Sequence, residues 1–338
     1  MSDNNDNNAS VLLSRLLCAA KAAYGIGFDG QPDFSEEQPQ FAHMGLVDAP
    51  SHWTGGEHRQ HACLVATIED PGAGGSAVVL AFRGTHPPEV DNLKDAAGFV
   101  EDWTNDFQAE LVAVEGIGEV HGGFWEAVEA LWSEPFLAEI DRRLGASGSG
   151  RLYLTGHSKG GAMAPLAALR LHQSGRPVTA VHTFAAARAG TASFAAAYAA
   201  AGIDGSRYEF GDDIVPHLPP SSLLRDTLHH ELSALSAGGF QVLGDLARMV
   251  SARTSGVAAL AAVIGRLQAI EYVSVGELRY INRSGQVLDG TPELERQRLL
   301  SLFLKLVKPG GVRTVATDHS VDCASGYGKA VYGAGVCG

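Results

Sequence analysis

Leu152-Tyr153-Leu154-Thr155-Gly156-His157-Ser158-Lys159-Gly160-Gly161 joins an apolar, strand-like run to a helix-like run, Ala162-Met163-Ala164-Pro165-Leu166-Ala167-Ala168-Leu169. A G-x-S-x-G pentapeptide thus sits where a strand turns into a helix. Small residues are required there, because the backbone must bend sharply and the helix must approach closely. A serine on such a turn has its hydroxyl pushed clear of the sheet. It becomes a nucleophile once a base is supplied.

Working outward, the chain alternates strand and helix signals. A helix is expected at 10–24, built on Leu12, Leu13, Leu16 and Leu17. A polar stretch with little regular signal runs to about residue 57. Strands follow at 62–68 and 77–82. Residues 121–143 read as one amphipathic helix, with Phe124, Val128, Leu131 and Trp132 on one face. Strands at 151–155, 178–184 and 207–210 enclose helices after Ser158 and at about 190–201. A strand pair at 272–281 and a helix at 291–307 complete the pattern. Alternation at this spacing predicts a largely parallel sheet covered on both faces. Residues 221–270 interrupt it with Ala/Leu-rich helical spacing and read as an inserted helical cap. With no dividing linker, a single α/β domain over 1–338 is expected, with residues 1–9 disordered.

Bulk properties narrow the function. The 338 residues are 45% hydrophobic and 19% charged, as in a globular protein with a buried core. A net charge of −13 excludes a nucleic-acid partner, which would need a basic face for the phosphates. No apolar run is long enough for a transmembrane span. The polar start, Met1-Ser2-Asp3-Asn4-Asn5-Asp6, lacks the basic opening of a signal peptide, so a cytoplasmic chain is the default expectation, with secretion by another route the alternative and the compartment left open. Cys18, Cys63, Cys323 and Cys337 are too few and too scattered for a disulfide framework, and whether Cys323 pairs with Cys337 is open. His58-Arg59-Gln60-His61 and His229-His230-Glu231 lack the spacing that sets two metal ligands on one helical face. No metal and no cofactor are expected, and the oligomeric state is unspecified.

A serine nucleophile needs a base, a carboxylate to orient it, and donors for the oxyanion. In α/β-hydrolases these follow along the chain as serine, acid, histidine. Downstream of Ser158, Gly211-Asp212-Asp213-Ile214-Val215-Pro216-His217 follows a strand, where spacing alone does not separate Asp212 from Asp213. Thr317-Asp318-His319-Ser320 then places a histidine in a polar loop. His157 and His217 read as packing residues.

Four motifs in order resemble the class 3 lipase family, the fungal-lipase-like branch of the α/β-hydrolases. They are Ala81-Phe82-Arg83-Gly84-Thr85, Val120-His121-Gly122-Gly123-Phe124, Thr155-Gly156-His157-Ser158, and Asp213-Ile214-Val215-Pro216-His217-Leu218-Pro219. Asp102-Trp103-Thr104-Asn105-Asp106 and the stretch 184–190 agree more weakly. The resemblance spans residues 60–330. It implies an α/β-hydrolase fold, Ser158 as nucleophile, Asp213 as orienting acid and His319 as general base. It further implies an oxyanion hole from Thr85 and the amide of Lys159, with Asp106 holding the Thr85 hydroxyl. The implied activity is that of a lipase or carboxylesterase on esters with apolar acyl chains, acylglycerols first, with transient contact at a lipid–water interface. A phospholipase or acyltransferase on another ester, or a non-catalytic lipid-binding protein, are the alternatives.

The chain departs from the family pattern in three places. Lys159 stands where an apolar residue is usual, and 184–188 lacks the usual Gly and Pro. The gap between Thr85 and Trp103 is also longer. In that gap Val90, Leu93, Ala97 and Val100 recur at helical spacing, with Asp91, Lys94, Asp95 and Glu101 mostly opposite. Residues 86–101 are accordingly expected to form a short lid. An ordinary surface helix is the other reading of the same pattern.

Overall fold

The computed structural model describes residues 2–85, 110–219, 221–222, 270–306, 311–332 and 335–337. The expected lid at 86–101, the Asp102–Asp106 motif and nearly all of the expected cap at 221–270 lie outside them. The bordering residues of the cap meet: Ser222 N and Oγ both donate to the Glu271 carboxylate, so the chain leaves and re-enters at one point.

Helix α1 (Ser2–Ala22) opens the chain. It begins in the stretch whose composition predicts disorder over 1–9. Once Leu16 and Leu17 are buried, adding residues to an existing helix costs little even for Asn and Asp. The polar stretch before residue 57 contributes α2 (Gln38–Ala42) and strand β1 (Ser51–Gly55), neither of them expected. Strands β2 (His61–Glu69) and β3 (Ser76–Phe82) follow as read. A hairpin, β4 (Leu111–Val114) and β5 (Gly118–His121), leads into α3 (Gly122–Leu131) and α4 (Glu134–Ser147). These two replace the single helix expected at 121–143. The break is local chemistry: Ser133 takes an extended conformation and its Oγ accepts from Phe136 N, with Pro135 in the first turn.

Strand β6 (Leu152–His157) runs into α5 (Lys159–Gln173), and β7 (Ala180–Phe184), β8 (Gly190–Thr191), α6 (Ala192–Ala200) and β9 (Asp204–Phe210) succeed it. The remaining elements are β10 (Tyr272–Val273), β11 (Glu277–Ile281), β12 (Val287–Asp289), α7 (Pro292–Leu306), α8 (Gly311–Asp318) and α9 (Gly326–Val331). The main sheet is ordered β1-β2-β3-β6-β7-β9-β11-β12 among the described residues. β3, β6, β7, β9 and β11 are parallel, with antiparallel pairs at both edges. A smaller antiparallel sheet, β10-β8-β5-β4, takes β10 away from the strand pair expected at 272–281.

Alternating side chains of the central strands feed two cores. Val78, Leu80, Phe82, Leu152 and Leu154 face α3 to α8, while Val79, Ala81 and Tyr153 face α1 and α9. Strands buried on both faces read as continuous apolar runs. The catalytic candidates gather where the parallel strands end, the edge on which such sheets carry their sites.

Candidate active site

Ser158 occupies the turn between β6 and α5 with φ 60° and ψ −126°. A residue with a Cβ is strained there, by about 1–3 kcal/mol. The strain persists because the turn is held on both sides. Ser158 N donates to Phe184 O at 3.0 Å, and Ala162 N donates to Ser158 O at 3.2 Å. Gly160 is required: a Cβ there would stand 2.0 Å from Phe82 O, so α5 could not reach β3. The Ser158 hydroxyl is buried and makes no hydrogen bond among the described residues.

Asp213 lies in the loop after β9, wholly buried. Its carboxylate faces His319, whose Nδ1 is 3.0 and 3.1 Å from the two oxygens. Two further donors hold it: Val215 N at 3.0 Å to Oδ1 and the Tyr327 hydroxyl at 2.9 Å to Oδ2. The Tyr327 oxygen in turn accepts from Phe210 N at 3.0 Å. Asp212 points elsewhere, to Arg283 and Lys305, so Asp213 is the carboxylate brought to the histidine.

His157 does more than pack. Its Nε2 donates to the His319 carbonyl at 2.8 Å. A carbonyl only accepts, so the other ring nitrogen accepts from the Tyr24 hydroxyl, also at 2.8 Å. Burial, reinforced by His319, holds the His157 pKa well below the ordinary histidine range, which keeps this neutral tautomer. His157 thereby ties the loop of His319 to the strand that carries Ser158. Its sequence position beside the serine carried no sign of that tie, which needs a partner 162 residues away.

Thr85 closes the turn after β3 and is exposed. Gly84 packs that turn against the end of β6: a Cβ there would be 2.1 Å from Tyr24 Oη and 2.7 Å from His157 O. Buried Arg83 braces it from below by donating to the carbonyls of Ile26, Arg59 and Gln60. The Lys159 amide is the first of α5, at the end of the helix from which backbone N–H groups point outward. Its side chain turns to His61, with Nζ 3.2 Å from Nδ1. Burial, then Lys159 and Arg83, depress His61 to about 4, so its neutral ring accepts from the ammonium.

Ser158, Asp213, His319, Thr85 and Lys159 are therefore all described and stand at the same sheet edge. Asp106 lies outside the described residues. His217 is buried in a 3-10 turn (Val215–His217), with its carbonyl accepting from Arg188. Among the described residues no group of three His, Cys, Asp or Glu side chains could hold a metal ion. No described helix is long and apolar enough to cross a membrane. Tyr327, Tyr24 and Arg283 were not singled out from the sequence. A lone tyrosine or arginine far along the chain gives no signal of what it will touch.

Residues 79–223 match the family described as Lipase (class 3). The secreted mono- and diacylglycerol lipase A of Penicillium camembertii is 33% identical over 148 residues, covering 44% of this chain and 45% of that protein. The lipase of Rhizopus oryzae is 31% identical over 149 residues, 43% of this chain and 35% of that one. Toxin TseL of Vibrio cholerae is 31% identical over 150 residues, 44% of this chain and 21% of that one. The match thus takes in less than half the length of each of these relatives.

Among solved structures, the triacylglyceride lipase of Rhizomucor miehei superposes with a TM-score of 0.52 at 19% identity, over 83% of this chain and 82% of that one. A deletion mutant of the Rhizomucor miehei lipase with its propeptide gives 0.54 at 19% identity, over 92% and 80%. These likenesses establish the fold, an α/β-hydrolase. Residues 79–223, which carry the Thr85 turn, the Ser158 turn and Asp213, are the part of the chain that matches the class 3 lipase family.

Proposed function

We propose that the chain is a serine ester hydrolase acting on carboxylic esters with apolar acyl chains, acylglycerols in particular. The observation that carries the reading is the pairing of His319 Nδ1 with buried Asp213, brought from two distant loops to the edge where Ser158 sits. Asp213 holds the imidazole in the tautomer whose Nε2 is the base. In that role Nε2 takes the Ser158 proton as Oγ attacks the ester carbonyl. The amides of Thr85 and Lys159 bind the oxyanion, and His319 returns the proton to the departing alcohol. A water activated by the same base then releases the acid.

The acylglycerol substrate is supported by the mono- and diacylglycerol lipases among the relatives, and contact with a lipid–water interface accords with it. The Cys323–Cys337 disulfide persists in oxidising surroundings, which supports a place of action outside the reducing cytoplasm. A fluorescent phosphonate tests the reaction: wild type is labelled and Ser158→Ala is not. An unlabelled wild type would falsify it. Nitrophenyl esters of graded chain length then separate a lipase preference from an esterase preference.

A further inference from the structure

Two buried carboxylates meet behind the acid and the base. Asp212 immediately precedes Asp213, and Asp318 immediately precedes His319. The Asp318 carboxylate accepts from Asp212 N at 2.8 Å, so its side chain also grips the backbone of the Asp212 loop. Gly211 makes this possible, since a Cβ there would stand 2.6 Å from Asp318 Oδ2. Such an arrangement brings two negative charges together in a site sheltered from water. It is stable only if a cation answers both.

Arg283 is that cation. Its Nη1 donates to Asp318 Oδ1 at 3.0 Å, and Nη2 donates to Asp318 Oδ2 at 2.5 Å and to Asp212 Oδ2 at 3.0 Å. The planar fork thus binds one carboxylate with both arms and the other with one. Lys305 on α7 adds a second cation to Asp212 alone. Arg283 is presented by a rigid hairpin between β11 and β12. There Asn282 Oδ1 accepts from Ser284 N, Ser284 Oγ and Gln286 N, and Gly285 N donates to Asn282 O. Half of the Arg283 side chain faces solvent, so the residue is not needed to fill the core.

We propose that Arg283 is a positioning residue, a clamp that acts through Asp212 and Asp318 to hold the acid loop and the base loop in register. The inference rests on the reading of Ser158, Asp213 and His319 as a triad. His319 is already bound to Asp213 and, through its carbonyl, to His157, which fixes the ring and one side of its loop. The clamp fixes the other side, one residue upstream of each partner. Without it the carboxylates repel, the loops part, and the imidazole swings from Ser158. A displacement of about 1 Å costs on the order of 10²-fold in rate.

The test compares wild type, R283Q and R283K in the full chain, with rates expressed per active serine titrated by phosphonate. R283Q is expected to lose about 10- to 100-fold in kcat and in labelling rate per site, with KM within about twofold. R283K keeps the charge without the two-armed geometry and should recover part of the loss. A purely structural role would instead lower the number of titratable serines and leave the rate per site alone. That result, or an R283Q rate per site within twofold of wild type, overturns the proposal. Should R283Q fail to fold, R283K decides by itself, since it keeps the charge and loses the two-armed bridge. A rate per site at least about threefold below wild type with KM unchanged supports the clamp, and a wild-type rate overturns it. A wild type that phosphonate does not label refutes the hydrolase reading itself, which separates the two failures.

Discussion

Replacing Tyr327 by phenylalanine removes one oxygen from a fully buried side chain and breaks two hydrogen bonds. The hydroxyl donates to the Asp213 carboxylate, and a bond to a charged acceptor contributes about 1.5–3 kcal/mol. The same oxygen accepts from Phe210 N, which is left unpaired in a buried position at a further cost of about 1–3 kcal/mol. The ring itself still fills its place, so no large cavity adds to the sum. A loss of about 3–5 kcal/mol in unfolding free energy follows, measured by urea denaturation at pH 7.5. About a third of it depends on the charge of Asp213. In an Asp213→Asn background the tyrosine meets a neutral acceptor, and its removal should cost about 1–1.5 kcal/mol less. Turnover by Tyr327→Phe should fall about tenfold, equivalent to about 1.4 kcal/mol, as the carboxylate loses one of its anchors. A stability loss under about 1 kcal/mol, or one unchanged by the asparagine, would refute the reasoning.

The backbone at Ser158 lies where glycine is at ease, so Ser158→Gly should be more stable than Ser158→Ala by about 1 kcal/mol or more. Equal melting temperatures would contradict a strained turn. His217 is held down to about 3 from 6.5, first by burial and then by Arg298. The unfolded histidine therefore takes its proton as pH falls through 6.5 while the folded one does not, and stability is lost progressively below that pH. At pH 5.5 the share from His217 is on the order of 1 kcal/mol, and His217→Gln should remove that share. The comparison is of denaturation at pH 7.5 and 5.5, and an unchanged difference between them would count against the assignment. The Cys323–Cys337 disulfide encloses α9 and with it Tyr327, across a separation of 14 residues. Its reduction should cost about 3 kcal/mol and lower turnover in the same titration with reductant. Retention of full stability and rate would show that α9 holds without it.

The parallel sheet was legible because strands buried on both faces must be apolar throughout and the helices between them must be amphipathic. These patterns repeat over neighbouring residues. The break at Ser133 was missed although its cap and Pro135 were in plain view, because the apolar spacing continued across it. The helical start at Ser2 was missed for the opposite reason, since its composition is that of a disordered tail and only docking of the following turns holds it. The small sheet of β10, β8, β5 and β4 was out of reach, because strands of two to four residues exist only through their partners.

What the sequence determined by itself is the local chemistry at Ser158: glycines that permit the turn, a strand before it and a helix after it. The chain order of Ser158, a carboxylate at 212–213 and His319 was visible there too, together with the motifs that resemble the family. Spacing left Asp212 and Asp213 unseparated, and the tertiary structure sends Asp213 to His319 and Asp212 to Arg283. It likewise assigned His157, Tyr327 and Tyr24 their partners. The physical reason is one of range. A turn is decided by the residues that form it, whereas a buried carboxylate takes its role from charges and donors that the fold brings from 71 to 114 residues away.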